Sequence, residues 1–177
     1  VEFSYKNLET YEYLWSSNLG VVLHELHHVM FMDKRYYTYY IDPNTNDPLT
    51  KFADTMYIDG LLTWVILHPK VVEAAQAHFN CSTITYVRLE NQGSYGSEGS
   101  HWERKWFGNE FLTASLEANE RISNVTLAFA EATGWYKPNY SMAEPLLWGK
   151  NKGCSFLTEA CLKGNPPKAQ ASEFCDV

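Results

Sequence analysis

The residues His24-Glu25-Leu26-His27-His28 carry the most distinctive chemistry in this chain. Read as H-E-x-x-H within an apolar, helix-compatible stretch, they put positions 24 and 28 on one helical face, about a turn apart. Two imidazoles so placed can grip one Zn²⁺, with the Glu25 carboxylate beside them to draw a proton from a water on that ion. The pattern is that of a metal-dependent hydrolase, with peptide bonds as the foremost target. His27 lies about 100° around the helix from His28 and so points away from an ion held by the other two.

Catalytic zinc takes three protein ligands and keeps one position for water. A histidine six residues past His28 would complete a compact site, but Lys34 stands there, so the third ligand comes from farther along. His68 precedes Pro69 and reads as a helix-start residue. His78 falls near the end of a helix, where an imidazolium suits the dipole. His101 follows the Gly- and Ser-rich run 93–100, which can swing it under the catalytic helix, and is the best-placed candidate.

These side chains need elements to hold them. Thr10 to Met32 reads as one helix, with Tyr11, Leu14, Trp15, Val22, Leu26 and Val29 at spacings of 3 to 4. Gly20 within it costs about 1 kcal/mol relative to Ala, tolerable where a neighbour packs closely. The Tyr-rich segment Tyr36 to Tyr40 leads into the turn-forming run 42–48. Gly60 to Leu67 reads as a short strand. Pro69 suits the first turn of a helix continuing from Lys70 to Phe79. Ser123 caps a helix from Asn124 to Thr133, with Gly134 as its stop. Lys163 to Val177 reads as loop held by disulfides.

Composition bounds the function. The 177 residues are 45% apolar and 20% charged, a globular balance. A net charge of −7 argues against nucleic acid and anionic membrane surfaces as partners. There is no apolar run of about 18 residues, and no basic and apolar leader at Val1. Cys81, Cys154, Cys161 and Cys175 form no C-x-x-C, and by composition allow three pairings. Together with sequons at Asn80, Asn124 and Asn139, they point to the secretory pathway and to an extracellular or cell-surface protein.

His24 to His28, then Gly99-Ser100-His101-Trp102-Glu103, then Asn109-Glu110-Phe111-Leu112-Thr113-Ala114 resemble leishmanolysin, a metzincin branch of zinc endopeptidases with a long insertion before the third ligand. The likeness continues through Thr133-Gly134-Trp135-Tyr136 and residues 143–149, and ends near residues 153–161. It implies His24, His28 and His101 as zinc ligands, Glu25 as general base, and a Cys81–Cys154 disulfide. It also implies that Cys161 pairs with a cysteine beyond this chain. Glu103 and Glu110 are candidates to orient His101 or neighbouring backbone.

Three departures from the family pattern matter. Phe31 stands where metzincins turn sharply at a glycine, so the turn must be built differently, for instance by running the helix on by a turn. Leu112 stands where the Met-turn methionine packs beneath the metal, a swap of similar volume. Only 23 residues precede His24, too few for the twisted sheet that metzincins place before the active-site helix.

The expected fold is α+β, mainly helical here: a metzincin-like zincin lacking its N-terminal sheet, with a disulfide-held, loop-rich C-terminal part. Residues 1–150 form the C-terminal part of the catalytic domain, with the active-site helix about 10–32, the third-ligand loop about 93–103 and the Met-turn equivalent about 109–115. Residues 151–177 begin a Cys-containing region. The expected function is zinc-dependent hydrolysis of protein or peptide substrates. The alternative is a weakened or inactive relative serving as a surface or complex-bound interaction module. The rest of the protein, N-terminal sheet and C-terminal region, is the expected partner, with any membrane anchor also outside this chain.

Overall fold

A computed structural model describes residues 15–93, 96–115, 119–164 and 168–175. Helix α1 spans Trp15–Met30; positions 10–14 of the expected helix lie outside the described residues. Its apolar residues do not all face inward. Leu19, Leu23, Leu26, Val29 and Met30 are 36–55% exposed, whereas the side bearing His24 and His28 turns toward the body. Gly20 faces Glu120: a Cβ there would lie 3.2 Å from the Glu120 carboxylate.

The helix does not run on past its expected end. The amides of Phe31 and Met32 both donate to the His27 carbonyl, at 2.9 and 3.0 Å. Phe31 is absent from the residues with positive φ, so the exit needs no left-handed residue. Phe31 is instead buried against Phe129 and Tyr136. Asp33 then caps a short 3-10 turn, Lys34–Tyr36.

A hairpin follows. Strand β1, Ala53–Ile58, pairs antiparallel with β2, Leu61–Ile66, and β3, Val87–Arg88, joins β2 from the other side. The expected strand is β2; β1 was not expected. Asp59 and Gly60 close the hairpin, both with positive φ (54° and 81°), which is the backbone a two-residue turn needs to match the twist of its strands.

Helix α2, Pro69–Phe79, opens with His68 accepting from the Lys70 amide and ends at Asn80 in the left-handed region, φ 55°. It packs on α4, Asn124–Ala132, which Ser123 caps by accepting from the Thr126 amide. Between them in chain order comes α3, Arg104–Phe107, three residues after His101. The core is strongly aromatic: Tyr40, Phe52, Phe79, Trp102, Phe107 and Phe129 are each fully buried.

Helix α5, Cys154–Thr158, is tied to the end of α2 by the Cys81–Cys154 disulfide. Beyond it Cys161 and Cys175 form no disulfide with each other or with another described cysteine. A two-stranded ladder, β4 (Leu162–Lys163) with β5 (Lys168–Ala169), the Phe174 ring stacked on Phe156 at 5.2 Å and a Lys152–Glu173 ion pair of 3.1 Å do the holding instead.

Candidate metal centre

Helix α1 sets His24 and His28 one turn apart, and the segment entering α3 brings His101 to them across 73 residues from His28. The three Nε2 atoms converge. They lie 2.9 Å apart for His28 and His24, 3.1 Å for His24 and His101, and 3.0 Å for His28 and His101. Each Nδ1 meets a main-chain carbonyl: Phe111 for His24 at 2.8 Å, Met32 for His28 at 2.7 Å, and Ser97 for His101 at 3.0 Å.

Those carbonyls settle the tautomers. A carbonyl oxygen can only accept, so each Nδ1 carries the proton and each Nε2 presents a lone pair. Three lone pairs aimed at one point repel unless a cation lies between them. Four-coordinate Zn²⁺ with Zn–N bonds of 2.0–2.1 Å would hold two nitrogens roughly 3.3 Å apart, within a few tenths of an ångström of the spacings here. The donor set therefore fits a small divalent ion. Burial is the main force lowering the His101 pKa, to about 4; His28 and His24 lower it further and the Ser97 carbonyl opposes them. Burial likewise lowers that of His28, against the Met32 carbonyl. Both rings are thus held neutral at ordinary pH, the state that metal binding requires.

Glu25 opens into the same cleft, of about 350 Å³, that the three histidines line together with Val21, Gly96, Ser97 and Thr113. Its charge is felt at His28, where it favours the protonated ring. A carboxylate beside the ligand cluster in a solvent-reachable cleft is suited to exchange protons with a water bound there.

The remaining histidines do other work. His27 bonds the Leu23 carbonyl at 2.6 Å and packs edge-on against Phe31 and Phe111, outside the trio. His68 is a helix cap. His78 departs from the charged role read from its position: burial lowers its pKa, and its Nε2 meets the Trp148 carbonyl at 2.8 Å. It acts as a neutral donor rather than as a charge on the helix dipole.

Neither candidate carboxylate touches His101. Glu103 caps α3 and lies 3.7 Å from Arg88. Glu110 is 1% exposed and takes the Leu112 amide at 2.7 Å, the Ser123 amide and hydroxyl at 3.1 and 2.8 Å, and the Thr126 hydroxyl. It thereby fixes the turn 110–113, whose Phe111 carbonyl holds His24. Leu112 is wholly buried, and its carbonyl accepts from the Trp102 amide next to His101. Sequence reasoning missed the carbonyls of Met32, Ser97 and Phe111, because every residue carries one and no residue type marks them. Asn80, Asn124 and Asn139, the sequon residues, are all exposed.

The sequence profile of the family described as leishmanolysin matches residues 3–176. The chain belongs to the leishmanolysin family. Leishmanolysins are, at the family level, zinc metalloproteases. Among curated relatives, a leishmanolysin-like peptidase of Caenorhabditis elegans is 45% identical over 97 residues, 55% of this chain and 15% of that protein. A leishmanolysin homolog of Crithidia fasciculata is 33% identical over 168 residues, 95% of this chain and 24% of that protein. A leishmanolysin of Leishmania tropica is 28% identical over 156 residues, 88% and 22%. The chain thus spans a quarter or less of the length of these relatives.

Proposed function

We propose that this leishmanolysin chain supplies the metal-binding part of a zinc-dependent endopeptidase, with His24, His28 and His101 as ligands and Glu25 as general base. The observation that carries the reading is the convergence of three Nε2 lone pairs whose Nδ1 atoms are each tied to a carbonyl. Bound Zn²⁺ would supply a Lewis acid that brings the pKa of water down to about 7 and polarises a carbonyl oxygen. Glu25 accepts the proton of the attacking water and returns it to the leaving amine. The carbonyls of Phe111, Met32 and Ser97 keep the imidazoles in the one tautomer that presents Nε2.

In this reading residues 1–150 belong to a metzincin-like catalytic domain and residues 151–177 begin a further region. The exposed apolar residues of α1 (Leu19, Leu23, Leu26, Val29 and Met30) suit burial against another part of the same protein, which is the partner proposed. Substrates are proteins or peptides. Exposed sequons and a disulfide favour an extracellular or cell-surface location. No helix among the described residues is long and apolar enough to cross a membrane.

A weakened or inactive surface module is the rival, motivated by Phe31 and Leu112. Against it, Phe31 is accommodated by a turn that leaves the Met32 carbonyl on His28. The test is Glu25→Gln in the intact protein. Zinc content should stay near one equivalent while casein cleavage falls about 10²- to 10⁴-fold. Unchanged turnover would remove Glu25 from its role. A zinc-loaded wild type that cleaves nothing but holds a protein partner would favour the rival.

A further inference from the structure

The Tyr-rich segment after α1 has no part in the site as described, yet two of its hydroxyls reach the two pieces of chain that carry the ligands. Tyr37 is 5% exposed and Tyr40 fully buried. The Tyr40 hydroxyl donates to the Phe31 carbonyl, in the exit turn of α1. The next carbonyl, that of Met32, is the one that fixes His28. The Tyr37 hydroxyl donates to the Gly99 carbonyl at 2.7 Å. Gly99 lies between Ser97, whose carbonyl fixes His101, and His101 itself.

The two rings form one block. Their centroids are 5.9 Å apart, and both pack on Phe52, at 5.7 and 4.4 Å, and on Phe129, at 6.2 and 6.1 Å. Tyr37 also meets Trp64, the ring against which Gly99 is pressed so closely that a Cβ there would come within 2.7 Å. Burial raises both phenol pKa values far above the usual range, so each stays a donor.

We infer that Tyr37 and Tyr40 are positioning residues, which hold the exit turn of α1 and the 97–101 loop at a fixed separation so that His28 and His101 meet at one point. Neither phenol touches the metal position. The inference rests on the metal-site reading above.

The test uses Tyr37→Phe, Tyr40→Phe and the double variant in the intact protein, which keep the rings and remove only the hydroxyls. Tyr140→Phe, whose hydroxyl bonds Glu131 away from the centre, is the control. Zinc affinity is read by chelator competition and ligand geometry by the visible bands of the Co²⁺-substituted protein. Removing a group that directly orients a metal ligand weakens metal binding about 10- to 100-fold. These hydroxyls act one step further out, so each single variant should weaken zinc about three- to tenfold and shift the Co²⁺ bands, while the control does neither. Should the double variant fail to fold, the singles decide. In the unaltered protein, zinc should also slow hydrogen exchange at the amides of Met32 and Gly99 together. Variants that melt lower but keep wild-type zinc affinity and Co²⁺ bands would overturn the positioning role and leave the metal site standing. A wild type that binds no zinc would overturn both.

Discussion

Glu110→Gln isolates one hydrogen bond in the network beneath the metal centre. One carboxylate oxygen takes the Ser123 amide and hydroxyl and the Thr126 hydroxyl; the other takes only the Leu112 amide. A glutamine that keeps its carbonyl on the first group must aim its own N–H₂ at the Leu112 N–H. One buried donor is then unpaired, at a cost of about 1–3 kcal/mol. The lost charge offsets part of this, since burial raises the Glu110 pKa above 4.5 despite the four donors that oppose it. A net loss of about 1–2 kcal/mol at neutral pH corresponds to about 2–8 °C in Tm for a domain of this size. The sign of the pH effect follows from the raised folded-state pKa. The contribution of Glu110 to stability is fully present below its unfolded value and is lost as pH rises through the folded one. The advantage of the wild type over Glu110→Gln should therefore be greatest in acid and shrink toward neutrality. The assay is thermal melting of both proteins between pH 4 and 8, with zinc affinity measured beside it. Because the Phe111 carbonyl loses its anchor on His24, that affinity should fall about tenfold. Equal melting points across the range with equal zinc affinity would show that Glu110 does not hold the turn.

Replacing Cys81 and Cys154 with Ala opens a loop with a sequence separation of 73 and should cost about 4 kcal/mol in denaturant unfolding, on the chain-entropy account; a loss under about 1 kcal/mol would refute that account here. Gly134→Ala forces a side chain into φ 74° with its Cβ 2.1 Å from the Ile41 carbonyl, so the backbone conformation alone should cost about 1–3 kcal/mol and the clash more, read as a lower Tm. Chelating zinc should lower stability by about 2.7 kcal/mol relative to protein held at a hundred times its Kd, and re-addition should restore it; a melting curve indifferent to chelator would argue that no ion sits among His24, His28 and His101.

The parts of this molecule that could be read beforehand are those where residue type and local spacing decide the outcome. His24 and His28 are one helical turn apart whatever surrounds them, and Pro69 and Gly134 through their backbones and Ser123 through its hydroxyl punctuate helices locally. Strand β1 was missed because Ala53–Ile58 lacks a clean two-residue alternation, its burial running half-buried, exposed, half-buried, half-buried, exposed, half-buried. Asp59-Gly60 did carry the hairpin signal and went unused. The apolar spacing of α1 marks a face to be covered without saying what covers it. Leu26 and Val29 remain exposed among the described residues while the histidine face turns inward.

The acceptors behind the imidazoles are peptide oxygens in all three cases, and no substitution at positions 32, 97 or 111 can delete a peptide oxygen. The identity of those side chains therefore does not set the electronic character of the centre, although Met32 and Phe111 are buried in the core and help to set the local chain path. The vulnerability moves to whatever sets that path. In evolutionary terms, the surroundings of such a centre can change a great deal while the donor trio keeps its chemistry, and damaging mutations should collect a layer farther out than a survey of ligand neighbours would look.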